Sequence, residues 1–266
     1  MLKTEMRNPA TTHIDAMTPA EMVAVMQKEN ENAVKAVAQV GDAIAEAIGQ
    51  ISQRMAQGGR LFYIGCGTSG RLGVLDASEC PPTYGVSPDL VVGIIAGGDS
   101  ALRLSSEKME DSFEAGYAVL ESYDITENDT VVGISAAGGA AYVLAAIQYA
   151  KDHGALTVGI TSNAGSPVSC LADIAIDPDT GAEVVTGSTR MKAGTAQKLI
   201  LNMISTGVMI RLGHVYENMM VNLRPTNIKL KARMVRITQE ITGLEAEAAE
   251  ALLEANDWSI RKAVEK

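Results

Sequence analysis

The sequence predicts an α/β fold built on a doubly wound parallel sheet. Three observations carry this. Short apolar runs recur, each beside a glycine: RLFYIG (60–65), LVVGIIAGG (90–98), TVVGIS (130–135) and LTVGIT (156–161). Helix-like stretches at 69–79, 107–122 and 140–152 lie between them. The runs are continuously apolar rather than alternating, as strands covered on both faces require. Ligands of such a fold bind at the carboxyl ends of the strands.

The remaining elements follow in order. Residues 17–59 read as helix, with Thr18 as N-cap, Pro19 in the first position and Glu21 completing a capping box. Val34, Val37, Val40, Ile44, Ile48 and Ile51 recur at helical spacing. Gly58-Gly59 ends the pattern, and Gly41 marks a break within it. ADIAID (172–177) is a further strand, and 192–212 is a long, mostly apolar helix. Residues 227–266 are helical and more charged, and 243–266 resemble a small helical hairpin or a ubiquitin-associated-like bundle.

Composition narrows the function. The chain has 266 residues, 47% of them hydrophobic, enough for a full core and one or two domains. A net charge of -10 argues against generic nucleic-acid or anionic-membrane binding, and 4% aromatic residues give no stacking platform for single strands. Cys66, Cys80 and Cys170 show no metal-ligand spacing; an odd count without an apolar secretory segment suggests reduced thiols and a cytoplasmic protein. No run reaches 18 apolar residues, so no membrane span is expected.

An anionic ligand would need a local site of amides, hydroxyls and a few cations. Three stretches offer one. YIGCGTSGR (63–71) ends a strand, turns through Gly67 and starts a helix with Thr68, Ser69 and Gly70, where free N–H groups and hydroxyls suit a phosphate. It lacks the GK[ST] of a P-loop and the acidic ribose partner of a dinucleotide site. GISAAGGAAYV (133–143) is a second glycine-rich turn, with Ser135 and Gly138. GAEVVTGSTRMKAGTAQK (181–198) crowds hydroxyls, Ser188 and Thr189 among them, with cations, Lys192 among them, before the apolar helix. In VLDASECPPTYG (74–85), Pro81-Pro82 should stop a helix and leave Glu79 on its last turn. A carboxylate at a helix C-terminus among apolar neighbours is costly when ionised, so a raised pKa is expected there, although by local pattern alone Glu79 reads as a surface glutamate before a turn.

Residues 59–85 together with GSTRMKAGTAQK (187–198) and TEMRNPATTHID (4–15) resemble the N-acetylmuramic acid 6-phosphate etherases. The glucokinase regulatory proteins share the GSTRMKAGTAQK motif and bind sugar phosphates without chemistry. The resemblance implies a sugar isomerase fold, a flavodoxin-like sheet with helices on both sides, over 51–214. An N-terminal helical arm (1–50) and a C-terminal helical segment (215–266) flank it. It implies a cytoplasmic, cofactor-independent lyase of cell-wall amino-sugar recycling, dimeric, with a sugar phosphate as its small-molecule partner. The reaction converts N-acetylmuramic acid 6-phosphate and water to N-acetylglucosamine 6-phosphate and D-lactate. The two catalytic glutamates of the family fall on Glu79 and Glu110, here assigned as acid and base. Gly67, Thr68, Ser69, Gly70, Ser135, Gly138, Ser188, Thr189 and Lys192 are the expected phosphate and substrate contacts. The chain departs from relatives that carry ASGRTPYV: Ala137, Gly139 and Ala140 stand where those have serine, arginine and threonine. A regulator without catalysis and an aldose–ketose isomerase are the alternatives; both glutamates favour the etherase.

Overall fold

The computed structural model describes residues 2–104, 106–225 and 227–264. The N-terminal helix starts as its residues require. The Thr18 amide donates to Glu21 Oε2 (2.8 Å) and the Glu21 amide to Thr18 Oγ1 (3.4 Å), a reciprocal cap for α1 (Pro19–Ala38). The chain breaks after Gln39 and resumes as α2 (Gly41–Ala56).

Strands and helices then alternate. They are β1 (Leu61–Gly65), α3 (Gly67–Tyr84), β2 (Val91–Ile95), α4 (Glu107–Glu110), α5 (Phe113–Glu121), β3 (Thr130–Ile134), α6 (Ala141–Asp152), β4 (Leu156–Ile160), α7 (Pro167–Leu171), β5 (Ile174–Ile176) and α8 (Lys192–Arg211). A hairpin, β6 (Val215–Tyr216) and β7 (Met219–Met220), leads to α9 (Ile228–Thr242), α10 (Ala246–Glu254) and α11 (Ile260–Val264). These last helices gather around their own apolar cluster, which includes Met234, Ile237, Leu253 and Ile260. No helix among the described residues is long and apolar enough to cross a membrane.

The five long strands are all parallel, in the order β2-β1-β3-β4-β5, the flavodoxin-like arrangement. Strand faces explain the unbroken apolar runs. Leu61 and Tyr63 face a core shared with α2, α3 and α8, while Phe62 and Ile64 face one shared with α5 and α6. Both faces are covered, so alternation disappears from the sequence.

Two helices depart from expectation. The helix expected over 107–122 is split, because Ser112 Oγ accepts from the Ala115 amide (3.2 Å) and caps α5. More consequentially, α3 does not stop before Pro81-Pro82. It runs through both to Tyr84 and ends on Gly85 (φ +69°), whose amide donates to Pro81 O (2.9 Å). The prolines remove two ladder donors, but the last turn buries Cys80 and Tyr84 in the core, and Tyr84 Oη bonds Thr206 Oγ1 (3.2 Å). Tertiary packing here outweighs local propensity, and Glu79 is not at the helix end.

The sheet is anchored at its amino end by Asp129. Its carboxylate accepts from the Arg60 amide (2.8 Å), Arg60 Nε (3.1 Å), Arg60 Nη2 (2.9 Å) and the Thr126 amide (2.8 Å). Burial alone would raise this carboxyl, but the Arg60 and Thr126 hydrogen bonds and the Arg60 charge outweigh it and hold its pKa below the usual value. A depressed folded-state pKa stabilises the fold above the unfolded value, about 3.9, and that contribution is lost as pH falls through the folded one. Asp129→Asn is therefore expected to lose about 1–3 kcal/mol at pH 7. Urea melts of both proteins should show that difference shrinking below about pH 4.

Candidate active site

The strand order reverses between β1 and β3, which lie side by side in the middle of the sheet. Their carboxyl ends form the crevice where such folds hold ligands. Two turns build it. After β1, the chain passes through Cys66 and Gly67 directly into α3, and α3 lies so close to the strand that side chains are excluded. A Cβ on Gly70 would stand 2.5 Å from Gly65 O, and one on Gly65 2.7 Å from the Gly70 nitrogen. The first amide of α3 to bond back is that of Gly70, to Cys66 O (3.3 Å). The amides of Gly67, Thr68 and Ser69 therefore precede the ladder, as donors at the positive end of the helix dipole. After β3, Ser135 Oγ accepts from the Gly138 amide (3.1 Å). Gly138 has φ +77°, and a Cβ there would stand 2.1 Å from Ser166 Oγ. The amides of Gly70 and Gly138 are thus already engaged, to Cys66 O and Ser135 Oγ.

These turns enclose a cavity of about 180 Å³ whose lining includes Cys66, Thr68, Ser69, Ser135, Thr189 and Glu110. The three stretches singled out in the sequence converge here, with Thr189 delivered by the loop before α8. Among the described residues of its lining there is no lysine or arginine. Burial first, and then the nearby Glu110 and Asp111 carboxylates, push the Cys66 thiol up to about 12. That thiol is neutral and no nucleophile at ordinary pH. No cluster of three or more His, Cys, Asp or Glu side chains able to hold a metal occurs among the described residues.

Several expected residues lie elsewhere. Ser188 is half-buried in the preceding loop and outside the lining. Lys192 is buried, with Nζ 2.5 Å from Glu29 Oε2, so its charge is neutralised and held away from the pocket. Asn8 Nδ2 also donates to Glu29 Oε2 (2.7 Å). Glu183, fully buried, accepts from the amides of Lys192 (3.0 Å) and Ala193 (2.9 Å), a carboxylate capping the start of α8. Glu79 is exposed on α3, 12 residues beyond Gly67, which at 1.5 Å per residue is about 18 Å down the axis. The apolar surroundings expected for it are absent from its own chain, because α3 continues past it and turns that face to solvent. The altered stretch is open at Gly139, where a Cβ would meet nothing within 4 Å, and Ala140 heads α6 with no side-chain cap.

With this geometry in hand, relatives decide the family. N-acetylmuramic acid 6-phosphate etherase of Caldanaerobacter subterraneus subsp. tengcongensis is 51% identical over 263 residues, spanning 99% of this chain and 86% of that protein. The etherases of Clostridium beijerinckii (53%) and Pectobacterium atrosepticum (49%) also match over 99% of this chain, spanning 86% and 87% of their own lengths. The chain belongs to the N-acetylmuramic acid 6-phosphate etherase family. A family profile described as the glucokinase regulatory protein N-terminal SIS domain matches residues 43–151, and one described as the SIS domain matches 105–206. Among solved structures, phosphoheptose isomerase from Neisseria gonorrhoeae superposes with a TM-score of 0.55 at 17% identity, covering 72% of this chain and 98% of that one. Phosphoheptose isomerase from Francisella tularensis gives 0.54 at 17%, covering 73% and 100%. At that identity the likeness speaks for the sugar isomerase fold alone.

Two further polar residues of this etherase-family chain carry weight. Gln197, on α8, accepts from Ser69 Oγ (3.0 Å) through Oε1. Nothing near GTAQK marks it. Glu29 had a usable signal: it shares one helical stripe with Ala33, Ala36 and Val37, and a charge on an apolar stripe needs a partner.

The thiols give a direct check of the pocket. A pKa of about 12 for Cys66, and for Cys80, pushed up by burial and then by Asp76 and Glu79, leaves about one thiolate in ten thousand at pH 8. Iodoacetamide on the native protein is expected to label exposed Cys170 while sparing both, as peptide masses would show.

Proposed function

We infer that the protein cleaves the D-lactyl ether of N-acetylmuramic acid 6-phosphate with water, giving N-acetylglucosamine 6-phosphate and D-lactate, in the recycling of cell-wall amino sugar. The observation that carries this is identity near 50% to named etherases along almost the whole chain. The pocket supports it, since hydroxyls and helix-start amides are what a 6-phosphate needs in a chain of net charge -10. Thr68, Ser69, Ser135 and Thr189 are its proposed donors. The pocket and the sheet fall within 51–214, taken as the catalytic domain, and the three free cysteines suit the cytoplasm.

The chemistry wants two carboxyl groups. Opening the sugar ring makes C1 an aldehyde and the C2 proton removable. Loss of that proton and expulsion of lactate from C3 leave an unsaturated aldehyde, to which water adds at C3. Lactate leaves as an alkoxide unless it is protonated, so one group acts as base at C2 and another as acid at the ether oxygen. Each transfer contributes about 10²–10⁴-fold. Glu110, in the pocket lining, is the proposed base. Glu79 is the proposed acid, and once ionised it can activate the incoming water.

Glu79 lies too far along its own α3 to serve its own pocket, so a homodimer is part of the proposal: each pocket receives Glu79 of the partner subunit. An apolar groove of about 760 Å³ between the α1–α2 turn and α8 supports self-association, lined in part by exposed Val34, Met203 and Ile210.

The test of the reaction is isotopic. Product formed in deuterated water should carry deuterium at C2, and product formed in oxygen-18 water should carry the label at C3. Displacement at the lactate carbon would leave C3 unlabelled. Glu110→Gln should suppress C2 exchange, and Glu79→Gln should abolish lactate release while keeping the fold. An isomerase would release no D-lactate at all.

The dimer has a separate test. Light scattering should give twice the chain mass. Mixing inactive Glu79→Gln with inactive Glu110→Gln should restore activity at about one site in four, since a two-fold dimer then rebuilds one intact pocket per mixed pair. No recovery after verified subunit exchange would place both glutamates in one chain's site.

A further inference from the structure

We propose that Gln197 is a positioning residue that sets the direction of the Ser69 hydroxyl, and thereby whether Ser69 can hold an anion in the pocket. The proposal rests on reading that pocket as the phosphate site. The two serines there are wired in opposite senses. Ser135 Oγ accepts from the Gly138 amide (3.1 Å), which leaves its single proton for a ligand. Ser69 Oγ donates to Gln197 Oε1 (3.0 Å), so its proton is already committed. In that state the Ser69 hydroxyl offers the pocket only lone pairs, which repel an anion.

Gln197 is only 2% exposed, and its Nε2 has no partner among the described residues. A buried amide donor without an acceptor is unfavourable. Turning the amide over gives Nε2 an acceptor and frees the hydroxyl proton, while Oε1 gives up its bond from Ser69. Nε2 then donates to Ser69 Oγ, and the hydroxyl proton swings toward the pocket. The two amide orientations have the same shape, so no neighbour has to move. The change matters because the described lining residues supply no cation: Lys192 is held by Glu29, and binding falls to hydroxyls and the first amides of α3. The geometry therefore ties phosphate affinity to a side chain on α8 that lies outside the pocket lining.

Calorimetric titration with N-acetylglucosamine 6-phosphate tests this in six proteins: wild type, Ser69→Ala, Gln197→Glu, Gln197→Met and the double variants Ser69→Ala/Gln197→Glu and Ser69→Ala/Gln197→Met. Melting temperatures check that each is folded. An ionised glutamate only accepts, so Gln197→Glu keeps the Ser69 proton away from the ligand. The expected weakening is about 10- to 100-fold, the worth of one hydrogen bond to a charged group. Gln197→Met releases the hydroxyl and should weaken binding less than Gln197→Glu. Without Ser69, the Gln197→Glu penalty should shrink to about threefold or less, because the proton it captures is gone.

A penalty that persists in full without Ser69 is plain charge repulsion and overturns the proposal. So does a Gln197→Glu protein that binds as wild type does. If the buried glutamate unfolds the chain, Gln197→Met measured with and without Ser69 carries the same test, and equal effects in the two backgrounds overturn it. A Ser69→Ala protein that binds the sugar phosphate as well as wild type does removes Ser69 from the site and the proposal with it. Wild type that binds none refutes the phosphate reading itself.

Discussion

The contact between Gly65 and Gly70 is the constraint on which the site depends. It lets α3 begin within a hydrogen bond's length of the end of β1, with no side chain between them. Only at that separation do the amides of Gly67, Thr68 and Ser69 open into the crevice beside β3. Further along, the same helix lies against β2, where a Cβ on Gly93 would stand 2.5 Å from Val74 Cα. A methyl group at either place would lift the helix from the sheet and withdraw the donors it aims. The close approach also turns the buried side of α3 toward α8, which brings Ser69 within reach of Gln197.

The second organising element is the polar knot at the start of α8. Lys192, Glu29, Asn8 and Glu183 are buried together and mutually bonded. A buried ion pair adds little net stability, because desolvating two charges offsets most of their attraction. What the knot does supply is position. It ties the N-terminal segment and α1 to the loop that carries Thr189, and it fixes the axial setting of α8, hence of Gln197. Burial would raise the Glu29 carboxyl, but the hydrogen bonds from Lys192 and Asn8 and the Lys192 charge leave it lowered. The pair is thus an ion pair at neutral pH.

The architecture was legible because its strands are covered on both faces: five apolar runs became five parallel strands. The turns after β1 and β3 were legible because glycine is demanded where backbone meets backbone. What could not be read is where tertiary contacts override local rules. Pro81-Pro82 signals a helix stop, yet buried Cys80 and Tyr84 carry α3 through it. Lys192 looks like an anion-binding cation, yet its partner Glu29 lies 163 residues away in the chain. Glu79 and Glu110 were found as a pair by resemblance, and no local pattern states that a single chain holds them apart.

A pocket with no lining cation among the described residues, in a chain of net charge -10, has to select an anion by donor geometry rather than by attraction. Long-range charge works against any phosphate approaching it, and salt, by screening that repulsion, should favour rather than oppose the encounter. For a phosphate bound as proposed, short hydrogen bonds from oriented amides and hydroxyls in a small cavity are stronger than the same bonds in water. Such a site has another property. A lysine follows a shifted anion with its flexible stem, but helix-start amides and wired hydroxyls do not. On the proposed reading the phosphate is a fixed anchor, and the sugar carbons are set at one distance from it. Elimination across C2 and C3 requires that, since base and acid must each meet one atom of a chain that is flexible once the ring has opened.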